Sequence, residues 1–160
     1  MEYQYLTNYN NNIKKINTKK NDIIKGLNTD KIQYLESKLN NGEQFPIAFK
    51  EYLTIGGDNN GLPLELGINY DAYYLSTTYI KKRLMERGTN INRPIAVFCS
   101  YEDCYSFIYL DEGNNPQPWN CSVSPNYDND DGKMIWKMPF NSFKELIDDM
   151  VYRAIKGLNV

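Results

Sequence analysis

Apolar residues recur along this chain in two rhythms, and the changes of rhythm divide it. Up to about Gly88 the spacing is three and four residues. From Ile95 to Met138 it becomes short apolar runs between polar turns, and after Ser142 it is helical again. Ile32, Leu35 and Leu39 form one stripe. Thr29 or Asp30 can cap that helix, with Gln33 placed to reach back, and Asn40–Asn41–Gly42 end it. Pro46 opens a second helix, because its missing N–H would be unpaired at a first helical position anyway. Ile47, Phe49, Tyr52, Leu53 and Ile55 give it a broad apolar surface. Gly56–Gly57 are expected to end it by taking positive φ, with Asp58 to Gly61 continuing as polar turn. Gly61 to Tyr74 reads as loop, with a short extended piece around Leu64–Leu66. Ser76 to Arg87 reads as a third helix, with Tyr79, Ile80 and Leu84 inward and Lys81, Lys82, Arg83 and Arg87 toward water, stopped by Gly88.

The strand rhythm begins with Ile95–Cys99, a turn over Ser100–Asp103 and a second run at Tyr105–Leu110. This predicts an antiparallel hairpin with a loop too long for the tightest turns. Trp119–Val123 and Met134–Met138 are expected as third and fourth strands, with an acidic loop at Tyr127–Gly132 between them. The last helix opens on the capping box Ser142-x-x-Glu145. It carries Phe143, Leu146, Ile147, Met150, Val151 and Ala154 on one stripe and meets its stop at Gly157. The first 28 residues are the least patterned. Asn8–Asn12 is a polar tract expected to be mobile, and Ile13, Ile16, Ile23, Ile24 and Leu27 suggest a helix or helix pair broken near Asn17–Thr18. Their lysines, Lys14, Lys15, Lys19, Lys20 and Lys25, read as a solvated helix face more readily than as a basic patch. The expected fold class is α+β: N-terminal helices and one C-terminal helix packed on one face of a mainly antiparallel sheet, in a single domain spanning 1–160.

Composition narrows the function classes. With 160 residues, 41% hydrophobic and 24% charged, the chain can bury a real core, and a net charge of −2 argues against direct nucleic-acid binding. No apolar run approaches the roughly 20 residues of a membrane helix. The N-terminal stretch has neither a basic start nor an apolar core, so a cytoplasmic location is expected and no membrane partner. There is no histidine, so the usual general base is absent. Cys99, Cys104 and Cys121 have neither metal-ligand spacing nor a histidine to activate them, and read as free thiols. Asp128–Gly132 hints at a calcium loop, but Tyr127 and Met138 stand where ligands belong. No catalytic residue, cofactor or metal site is expected.

Charge distribution is the independent functional signal. Glu102, Asp103, Asp111, Glu112, Asp128, Asp130 and Asp131 lie between Pro94 and Gly132, a span without Lys or Arg. All fall in expected turns or strand ends, so they could crowd one rim of the sheet and steer a basic partner. The plainer reading is that turns are rich in Asp and Asn. Tyr101, Tyr105, Trp119 and Tyr127 sit among them as candidate anchors. Trp119, after Pro116 and Pro118, is expected to be the exposed tryptophan, and Trp136 the packed one.

Three segments also resemble the SUKH superfamily, which includes fungal cell-wall assembly regulators and bacterial immunity proteins. They are Pro46, Phe49, Tyr52 and Leu53 leading into Gly56–Gly57; the hairpin from Ile95 to Leu110–Asp111; and Ser142–Phe143 opening a final helix with Leu146 downstream. The likeness covers roughly residues 29 to 155. Residues 1–28 match poorly, and Ser76–Arg87 looks inserted. The resemblance implies a non-catalytic binding protein: an immunity protein whose partner is a cognate toxin domain, often a nuclease, or alternatively a scaffold in the cell's own pathways.

Overall fold

The computed structural model of the protein describes residues 2–20, 23–64, 70–124 and 133–158. Among these it has helices α1 (Thr7–Lys20), α2 (Thr29–Leu39), α3 (Ile47–Gly56), α4 (Asp71–Glu86) and α5 (Phe143–Lys156). The strands are β1 (Ile95–Tyr101), β2 (Cys104–Tyr109), β3 (Pro118–Ser122) and β4 (Ile135–Lys137). The strands pair antiparallel in the order β1-β2-β3-β4, so the class is α+β as expected. Leu66 of the expected extended piece and the acidic loop Tyr127–Gly132 lie outside the described residues.

The sheet is covered on both faces rather than one. Ala96, Phe98 and Ile108 point into a core shared with α1, α2, α3 and α5. Ile95, Val97, Phe107 and Cys121 alternate to the other face, where Ile80 and Leu84 of α4 bury them. Thr77 of α4 also accepts the outward N–H of Val97 at 3.0 Å, so the helix satisfies part of the outer edge of β1. Because α4 begins at Asp71, its inward side is Tyr73, Thr77, Ile80 and Leu84. Tyr79, expected inward, is 44% exposed.

The three segments that carry the resemblance meet in the larger core. Phe143 contacts Phe98 (5.1 Å between centroids), Tyr52 (5.6 Å) and Phe49 (5.8 Å), each edge to face. Ser142 caps α5 through the Glu145 N–H at 3.3 Å, and Gly157 ends it in the left-handed region, both as the pattern requires. The cap of α2 is Asn28, one residue before the expected one, accepting from the Lys31 N–H.

The glycine doublet works differently from expectation. Gly57 is right-handed (φ −66°), so positive φ is not why it is glycine. A Cβ on Gly56 would lie 2.2 Å from the Tyr9 hydroxyl, and one on Gly57 would lie 2.8 Å from Leu27 Cγ. Close approach is the reason. Tyr9 donates to the Asn60 carbonyl, Tyr73 to the Gly57 carbonyl at 2.9 Å, and Asn60 Nδ2 to the Tyr52 hydroxyl at 3.1 Å. Burial pushes the hydroxyls of Tyr9, Tyr52 and Tyr73 well above the usual phenol range, so they stay neutral.

The first residues belong to this core. α1 runs unbroken through Asn17–Thr18, and Leu6, Tyr9 and Ile16 are fully buried. Glu51 of α3 is buried and accepts the backbone N–H groups of Gln4 (2.6 Å), Tyr5 (2.9 Å) and Leu6 (2.7 Å), just before α1. The Asn8–Asn12 tract is helix, with Asn8 donating to Asp148 of α5 at 3.0 Å.

Candidate functional site

The β1–β2 connection is two residues long. Tyr101 pairs with Cys104, leaving Glu102 and Asp103 as the turn, shorter than the expected loop. Glu102 has φ 51°, a left-handed conformation that glycine and asparagine hold more easily. Neither carboxylate meets a cation among the described residues. Beside this turn, Leu75, Ser76 and Tyr79 of α4 and Tyr105 of β2 line an open groove of ≈ 230 Å³. Leu75 is 61% exposed, and the Tyr79 and Tyr105 rings lie 5.9 Å apart. Burial first, then Tyr79 and the Asp103 carboxylate, raise the Tyr105 hydroxyl above its usual range, which keeps it protonated near neutral pH. Tyr101, 68% exposed, falls on the opposite face by strand alternation.

Asp111 and Glu112 lie at the other end of β2, roughly 20 Å along the strand. The expected single acidic rim is therefore corrected: antiparallel pairing sends the two acid pairs to opposite ends of the sheet. This second pair is also neutralised. Arg93, one residue before the cation-free span, donates from Nε to both Asp111 oxygens (3.1 and 3.0 Å) and from Nη1 to Glu112 at 3.0 Å. Its guanidinium lies 3.9 Å from the centre of the Tyr109 ring. The Arg93 hydrogen bonds hold the Asp111 carboxyl below the usual range, and the Asp111 carboxylate raises Arg93.

Trp119 joins this second end. It pairs with Phe107 across the strands, packs edge to face on Tyr109 at 5.5 Å and carries Lys137 Nζ 5.3 Å above its ring. It is half-buried, and its indole Nε1 is buried with no hydrogen-bond partner among the described residues. The expected exposed anchor is thus corrected to a packed residue, because β3 turns it into the α4-covered face. Trp136, expected in the core, is half-buried as well. Tyr127, Asp128, Asp130 and Asp131 lie outside the described residues. The described neighbours of that segment leave the sheet at the Glu102–Asp103 end, where the Val123 N–H donates to the Asp103 carbonyl at 2.9 Å.

The cysteines form no disulfide, and burial pushes the Cys121 thiol up to about 12, so it stays protonated. Among the described residues no group of three or more His, Cys, Asp or Glu is placed to hold a metal. No helix among them is long and apolar enough to cross a membrane. Sequence reasoning named Tyr105, Glu102 and Asp103 but missed Leu75 and Ser76 and turned Tyr79 inward. A helix phase started at Asp71 would have exposed Leu75 and Tyr79 together. No family model, no curated protein and no solved structure matches this chain.

Proposed function

We propose that this protein is a non-catalytic immunity protein of the SUKH type, which binds and neutralises a cognate toxin domain by one-to-one association. The observation that carries the reading is the groove of Leu75, Tyr79 and Tyr105 beside the Glu102–Asp103 turn, which meets no cation among the described residues. Exposed aromatic and aliphatic side chains supply apolar contact, and uncompensated carboxylates at the rim speed encounter with a basic surface. A nuclease toxin presents such a surface because it must hold phosphates. The convergence of the three resembling segments on Phe143 adds support. The partner is a protein, the location cytoplasmic, and no cofactor takes part.

The test is co-expression with the protein encoded beside it. The expected result is a stoichiometric complex on size exclusion and survival of cells that make the toxin. Failure to form the complex or to protect, with both proteins folded, overturns the reading. A housekeeping operon around the gene would favour the scaffold alternative.

A further inference from the structure

Resting on that docking reading, we infer that the turn end of β2 receives one arginine of the partner. Its stem lies in the groove between Leu75, Tyr79 and Tyr105, and its guanidinium meets Asp103 and Glu102. The chain carries its own template for this arrangement. At the far end of the strand, Tyr109 is followed two and three residues later by Asp111 and Glu112, and Arg93 lies over the ring with its N–H groups on both acids. At the turn end, Tyr105 is preceded two and three residues earlier by Asp103 and Glu102. Tyr105 and Tyr109 pack toward the same face of the sheet, so the two sets stand in mirror order on one strand.

The far set is matched by a cation of this chain, and among the described residues the near set is not. No Lys or Arg among the described residues pairs with Glu102 or Asp103, and residues 125–132 include neither residue type. At ≈ 230 Å³ the groove is smaller than the roughly 300–1,000 Å³ of small-molecule sites, which suits a single side chain. Arginine fits better than lysine, because a planar guanidinium can stack on a tyrosine and fork between two carboxylates at once.

The probe is N-acetyl-arginine methylamide, titrated into the isotope-labelled full chain and followed by NMR. The neutral norleucine analogue and the lysine analogue serve as comparisons. Saturable shifts are expected at residues 75–79 and 101–106, with affinity in the order arginine, lysine, norleucine. E102Q/D103N lies in an exposed turn and is expected to weaken arginine binding about tenfold, and Tyr105→Leu to weaken it similarly, while D111N/E112Q leaves it unchanged. Equal binding of norleucine and arginine overturns the inference, as does an E102Q/D103N protein that binds the probe like the parent. No saturable shift, while the same double variant still loses the toxin complex, sinks the arginine site and leaves the docking reading standing. Probe binding at the turn end, with the toxin complex indifferent to the double variant, does the reverse.

Discussion

At one end of β2, Tyr109, Asp111 and Glu112 hold Arg93 of the same chain; at the other, Tyr105, Asp103 and Glu102 meet no cation among the described residues. The local chemistry is alike and the role differs. At the far end the charges are spent on the fold: Arg93 ties the entry to β1 to the exit from β2. At the near end they stand beside an exposed groove on a backbone held at positive φ. Net charge therefore cannot tell a docking surface from a structural ion pair. The position of the nearest opposite charge decides.

The largest test removes the difference. Ser76 lines the near groove, so Ser76→Arg would let the chain lay its own guanidinium over Tyr105. Affinity for the proposed toxin partner is expected to fall about 100-fold, the scale of losing an interface hot spot, with the melting temperature little changed. Unaltered affinity measured by calorimetry would break the comparison. A smaller effect comes from neutralising each end in turn. E102Q/D103N is expected to cut the association rate roughly tenfold at low salt, and raised salt should do the same to the parent, while D111N/E112Q leaves the rate alone. A stopped-flow series showing both pairs equally effective would return the argument to a diffuse acidic surface.

The next effect is on stability. Arg93→Ala removes the far-end ion pairs, whose members Arg93 and Asp111 are 44% exposed; solvent screening limits the loss to about 1 kcal/mol at neutral pH. The Asp111 carboxyl is held below its ordinary value in the folded chain. Its contribution is thus fully present above the unfolded-state value of about 4 and is lost as pH falls through the lower folded value. The deficit of Arg93→Ala relative to the parent should therefore shrink below about pH 4 in urea melts; a constant deficit would place its cause in the Tyr109 stacking instead. The smallest effect is Glu102→Gly. Relief of the left-handed conformation should stabilise the fold by about 0.5–1 kcal/mol while weakening the toxin complex. A variant that gains stability and keeps its affinity would show that Asp103 alone supplies the charge.

Several features were legible in the sequence because they depend on neighbours in the chain. The stripe of α5, its Ser142 cap and its Gly157 stop are local, and so is the alternation that makes β1 and β2 strands. Where long-range contacts decide, local reading went astray. Asn17–Thr18 look like a break, yet α1 continues, its entry fixed by Glu51 at the Gln4–Leu6 amides. Glu102 is a poor residue for a two-residue turn, so propensity alone lengthens that loop. At the site, the acids and Tyr105 could be named from composition. Their division into two ends could not, because strand register and the reach of Arg93 are set by pairing.

What the sequence by itself determined is the identity and order of helices α2 to α5 and of the four strands, the α+β class and the residues able to carry charge. Each follows from spacing and capping within a few residues. The tertiary structure alone decided which carboxylates are neutralised, which face α4 covers, why Gly56 and Gly57 admit no side chain, and that Leu75 and Tyr79 come to stand beside Tyr105. Those outcomes depend on distances between residues far apart in the chain, and electrostatic and packing energies are functions of distance in space.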